Sequence, residues 1–137
     1  MARRGISAVR GLLLVALAGG LTACASVDAT TTEYVGAPHF PPGDPAKVEI
    51  LRREPTRPHD RLGEVMIDAS TDPAPPITEI EGKLRTEAAK MGADAVVVVY
   101  DRIQPVGAWV SGPWWARSVE PVTGRRLIAV AIKYRPQ

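Results

Sequence analysis

Proline placement constrains this chain more than any other feature. All 13 prolines lie beyond residue 23 and divide the rest of the chain into pieces. Proline fixes φ and removes a backbone donor, so helix interiors and central strands exclude it. Regular elements are therefore expected between Pro45, Pro55 and Pro58, the run Pro73, Pro75, Pro76, and the later Pro105, Pro113 and Pro121.

Lys47–Arg52 alternates polar and apolar residues as far as Leu51, the pattern of a half-buried strand. Arg57-Pro58-His59-Asp60 reads as a connecting loop, and Leu62–Ala69 as a second strand with Val65 and Ile67 on one face. After the proline run, Ile77, Ile80, Leu84, Ala88 and Met91 recur at steps of three and four, which predicts an amphipathic helix. Thr78 with Glu81 matches a capping box at its start. Glu79–Lys83, Glu81–Arg85 and Lys83–Glu87 are spaced for surface ion pairs, and Gly92 suits the left-handed position that ends a helix.

Asp94–Tyr100 is a continuous β-branched run, expected to be a central strand covered on both faces. Arg125–Tyr134 reads as the last strand, turning Leu127, Ala129, Ala131 and Lys133 one way and Ile128, Val130, Ile132 and Tyr134 the other. The expected class is α/β (α+β): a small single domain ordered β-β-α-β-β, one helix on a four-stranded mixed sheet. Residues 62–69 and 94–100 pair either parallel, through the helix, or within an antiparallel sheet. The expected core is Ile50, Val65, Ile67, Ile80, Leu84, Ala88, Val96, Val98, Ile128 and Val130. One helical layer leaves the other sheet face open to a partner or to self-association.

The N-terminus gives an address. Arg3, Arg4 and Arg10 precede the apolar run Leu12–Leu17, and Ala18-Gly19-Gly20 follow. A basic start, a short apolar core and then small residues form an export signal. A spanning helix needs about 20 apolar residues, more than this segment offers. Leu21-Thr22-Ala23-Cys24 resembles the lipobox of bacterial lipoproteins. That resemblance implies cleavage before Cys24 and acylation of its thiol, with an ordinary signal peptide and a chance cysteine as the alternative. Ala25 and Ser26 follow, and similarity to sorted lipoproteins then implies the outer membrane, facing the periplasm. The expected organisation is a signal at 1–23, a lipid-anchored Pro/Thr-rich tether at 24–46 and a domain at 47–137.

Charge narrows the partners. The whole chain has 17 Lys+Arg against 15 Asp+Glu. Residues 1–23 hold three arginines and no acid, so the exported part is nearly neutral. No basic stripe with interleaved aromatics is present, so nucleic acid is not an expected partner. Cys24 is the chain's one cysteine, which leaves no intrachain disulfide to form.

Gly63-Glu64-Val65, then Leu84, then Ala88-Ala89-Lys90-Met91-Gly92-Ala93-Asp94-Ala95-Val96 resembles the RcsF / YbjQ-like family of small envelope proteins. The distinctive part is the last stretch, similar to that family's Ala-Ala-Lys-x-Gly-Ala-Asn-Ala-Val pattern. The resemblance covers roughly residues 47–134 and informs the fold more than the task. RcsF carries several disulfide-forming cysteines. The exported part of this chain has only Cys24, so disulfide-based sensing does not carry over.

Chemistry-bearing residues are sparse. His39 and His59 are the only histidines, and His59-Asp60 is a fragment of a metal site where four ligands are usual. No metal and no cofactor are expected. Ser70 and Ser111 stand in no nucleophile motif, and no glycine-rich phosphate loop precedes the helix. Catalysis by paired carboxylates is the minority reading, since nothing selects two of the fifteen.

Trp109, Trp114 and Trp115 all fall in the turn-rich stretch 105–124. They are the candidate partner-binding residues, because large aromatics bury much area with few rotors. Alternatively they fold back as a lid over the bare sheet face. The expected function is a non-catalytic binding or sensing module, held at a membrane by lipid on Cys24 and engaging an envelope protein or the cell wall. The alternative is a structural protein that forms a homo-oligomer through the open sheet face.

Overall fold

A computed structural model describes residues 24–136; the expected export signal and most of the lipobox lie outside them. In chain order the elements are β1 (Val27–Glu33), one 3-10 turn (Pro45–Lys47), β2 (Glu49–Leu51), β3 (His59–Ser70), α1 (Ile77–Lys90), β4 (Ala95–Ser111) and β5 (Ser118–Tyr134). The strands form a single mixed sheet in the order β1-β3-β5-β4-β2. The domain is α+β, one helix on five strands.

The helix forms where its periodicity places it. Ile80, Leu84, Ala88 and Ala89 are buried on the sheet, against Val65, Ile67, Val96, Leu127, Ala129 and Ala131. The pairs Glu81–Arg85 and Lys83–Glu87 form on its outer side. Gly92 ends the helix at φ +75°, where a side chain would be strained and would also press on Phe40 and Pro41. The chain then enters β4. β3 and β4 are each antiparallel to β5, so they run the same way with β5 between them. The step from β3 through α1 to β4 is thus a parallel crossover that skips one strand.

Several expectations need correction. The sheet has five strands, and the order β-β-α-β-β omits β1. That strand lies in the stretch read as a tether, and it pairs along its whole length with β3, from Val27↔Ala69 to Glu33↔Gly63. Three successive threonines suit a pleated edge strand whose outer side chains face water, a composition that also reads as a linker. The proline-rich segment after it docks as well: Phe40 packs on the core and the Gly43 N–H donates to the Ala89 carbonyl at 2.8 Å. The capping box does not form. Pro76, with extended ψ of 145°, is the N-cap, so Thr78 already lies inside the helix.

The central strand is β5, not the valine run. Ala95, Val96 and Val97 are buried, but a bulge between Val98 and Tyr100 turns Val99 outward, 59% exposed. Register explains a further difference. Val65 and Ile67 stand opposite Ala129 and Leu127, so these face the helix; Ile128 and Val130 turn to the other side and are only half-buried. Ile50 and Val98 are also half-buried at the margin of the core. Finally, His59 and Asp60 begin β3 rather than lying in a loop.

Candidate functional site

The stretch read as a tryptophan loop is a strand pair. β3 ends at Ser70, opposite Gly124 of β5, but β4 and β5 continue past that point. From Pro105↔Thr123 to Ser111↔Ser118 they form a two-stranded arm that β3 no longer accompanies. Its prolines and glycines look like turn signals. In a two-stranded ribbon, however, each strand keeps one open edge where a missing N–H breaks no ladder bond. Gly112, at φ +91°, opens the turn at the tip, and the Ala116 N–H closes it on the Pro113 carbonyl at 2.9 Å.

The arm carries all three tryptophans outward. Trp109, Trp114 and Trp115 are 68%, 79% and 71% exposed, so they do not form a lid over the sheet. Trp114 and Trp115 meet edge to face, ring centres 5.5 Å apart at 90°. Trp109 stands opposite Glu120, while Val110 and Val119 pair on the other face and are also exposed. No Asp, Glu, Lys or Arg occurs from Ile103 to Ala116. An apolar ribbon of this kind is marginal by itself, and here the sheet at its root starts its register. The alternation Ala108, Val110 and Val119, Pro121 is the signal that sequence reasoning passed over.

The root of the arm adjoins the start of the described chain. Cys24 is exposed, two residues before Ser26. Ser26 and Ser70 exchange two hydrogen bonds: Ser26 N–H to Ser70 Oγ and Ser70 N–H to the Ser26 carbonyl, both 3.0 Å. An open cleft of about 350 Å³ lies there, lined in part by Ser26, Asp28, Asp68, Ser70, Val106 and Val122. Asp28 stands opposite Asp68 across the β1–β3 ladder. Arg126 holds Asp68 through both oxygens, at 2.7 and 2.8 Å. The Ser70 hydroxyl is engaged on both sides, since it also donates to the Pro73 carbonyl at 2.6 Å.

Both histidines have polar neighbours. His59 lies between the Arg57 carbonyl, 2.7 Å from Nδ1, and the Glu54 carboxylate, 3.2 Å from Nε2. His39 is paired with Glu33 on the surface. Among the described residues no three His, Cys, Asp or Glu side chains converge as metal ligands. The carboxylates whose pKa moves all move down, each chiefly through a hydrogen bond from a cation: Asp101 from Arg125, Asp60 from Arg135, Glu54 from Arg61, Glu87 from Lys90. Asp101, Asp60 and Glu54 thereby tie neighbouring segments together, while Glu87 and Lys90 pair within α1.

Fold and site together define an α+β domain bearing an exposed aromatic arm whose β4 portion carries no charge. No family model, curated protein or solved structure matches the chain. No helix among the described residues is long and apolar enough to cross a membrane.

Proposed function

We propose that this chain is a membrane-anchored envelope lipoprotein whose domain is a non-catalytic binding or sensing module. In this reading residues 1–23 are the export signal, Cys24 carries the acyl chains, and the domain sits on the periplasmic side of the outer membrane. The exposed arm carries the binding part of the proposal: three large aromatics held in water, in a stretch with no charge, are a surface built to be covered. The anchor rests on Leu21–Cys24 and on Cys24 standing exposed just before the first strand. One acyl chain binds a bilayer only marginally, so stable attachment through Cys24 takes two or more.

The likeness to the RcsF / YbjQ-like proteins belongs to the same proposal. Its two parts lie side by side in space, since a Cβ placed on Gly63 would stand 3.0 Å from the Met91 sulfur. A second reading, self-association through the open sheet face, is favoured by the half-exposed band of Met66, Ile128 and Val130. A sedimentation coefficient independent of concentration would argue against it.

Replacement of Cys24 by Ser tests the anchor. The natural chain should sediment with membranes and enter the detergent phase, while Cys24→Ser should keep its leader and migrate as a larger species. Identical processing and identical partitioning of the two would refute the proposal.

A further inference from the structure

We infer that the aromatic arm is a second membrane contact, its tip seated at the headgroup–acyl boundary of the bilayer that holds Cys24. The identity of the surface rests on the lipoprotein reading; the geometry that delivers the arm to it does not.

Direction comes first. β1 is antiparallel to β3, so the chain on the N-terminal side of Val27 leaves the sheet at the end where β3 stops. The arm leaves at that same end, because Gly124 stands opposite Ser70, the last residue of β3. Cys24 and the tip of the arm therefore project the same way.

Length comes second. Ser26 is bonded to Ser70, so only Ala25 separates Cys24 from the sheet. From Val27 back to Cys24 the chain reaches at most about 10 Å. The arm, from Gly124 to Ser118, extends roughly 20 Å at the usual rise per strand residue. With β1 built into the sheet, the leash is too short to hold the domain clear of a surface at which Cys24 is fixed. The arm overreaches the anchor and meets that surface.

Chemistry comes third. Tryptophan favours the membrane interface, where its ring is apolar and its N–H finds a polar partner. Trp114 and Trp115 crown a tip without an acidic residue, and its one charge, Arg117, suits the phosphate groups of the interface. The outer edges of the two strands carry unpaired backbone groups, which the hydrocarbon core would not tolerate. That limit sets the depth at the interface and excludes a spanning hairpin.

The three tryptophans are the only ones in the chain, so its fluorescence reads the arm alone. Residues 24–137, which carry every element described, are coupled through Cys24 to a maleimide headgroup lipid. The vesicles are phosphatidylethanolamine and phosphatidylglycerol with brominated acyl chains. The expected result is a blue shift of emission on coupling and quenching that is stronger for bromines near the headgroup than near the bilayer centre. Uncoupled Cys24→Ser chain should bind the same vesicles weakly, and adding Trp114→Ala with Trp115→Ala should lower that binding roughly tenfold or more, from the aromatic area no longer buried. Emission unchanged on coupling overturns the inference. So does a blue shift that needs no vesicles and grows with protein concentration, which would make a second copy the occupant. Chemical coupling replaces cellular acylation, so a failure here stands apart from a failure of the lipoprotein reading, which the processing of Cys24→Ser reports.

Discussion

Ser26 and Ser70 hold each other through a reciprocal pair of hydrogen bonds, each 3.0 Å, at the corner where the N-terminal strand and the root of the arm meet. The Ser70 hydroxyl also binds the Pro73 carbonyl, so one side chain fastens β1, β3 and the turn into α1. Ser70→Ala should remove two hydrogen bonds and lower unfolding stability by about 1–2 kcal/mol. Hydrogen exchange at the Ser26 amide should accelerate more than exchange in the core of β5.

Gly63 governs how closely β1 approaches. A methyl there would collide with the Thr32 carbonyl oxygen and crowd the Glu33 Cα and the Met91 sulfur, both 3.0 Å away. Backbone cannot yield as a side-chain tip can. Gly63→Ala should therefore cost about 1–3 kcal/mol, as overpacking usually does, seen as a lower denaturation midpoint in urea with β1 amides losing protection first.

The tryptophans lie outside the core, and their removal should show it. Trp114→Ala with Trp115→Ala should leave stability within about 0.5 kcal/mol, the usual range for surface positions. Leu84→Ala, which empties a fully buried site under the helix, should cost about 2–5 kcal/mol. Thermal melts of the two variants against the natural chain separate these outcomes.

Asp101 couples β4 to β5 below the arm, accepting from Arg125 Nε and a terminal nitrogen at 2.7 Å each. That hydrogen bonding, with a smaller share from Arg52, holds its pKa below the usual carboxylate value. The unfolded chain thus binds the proton more readily than the folded one, so acid favours unfolding. The contribution is complete above about pH 4, the ordinary aspartate value, and is lost as pH falls through the lowered folded value. Asp101→Asn should be less stable at neutral pH and should show a shallower loss of stability below pH 4, measured by urea denaturation across pH.

Local pattern carries some of this and tertiary context the rest. The helix is legible because Ile80, Leu84 and Ala88 repeat at its period and Gly92 ends it. Alternation in β5 shows which residues share a face, but not which face the helix takes. Ala129 and Ala131, small enough to let α1 come close, lie beneath it, whereas the bulkier Ile128 and Val130 look more like core in the sequence. β1 is illegible because Thr30, Thr31 and Thr32 are exposed on an edge, where nothing but pairing with β3 distinguishes strand from linker. The arm hides behind Pro105, Gly107 and Pro121, which a two-stranded ribbon accommodates and a wider sheet would not. Sequence alone does not decide between a tryptophan lid and a tryptophan surface. The ladder Trp109↔Glu120, running on where β3 has stopped, decides it.

The proposed location turns on what is attached to Cys24. Mass spectrometry of the N-terminal peptide, released from membrane-purified protein, measures it directly. The expected peptide begins at Cys24 and carries the mass of a diacylglyceryl group on sulfur, with or without a further acyl chain on the new amine. A peptide that begins elsewhere, or begins at Cys24 with no added mass, would contradict the lipoprotein reading.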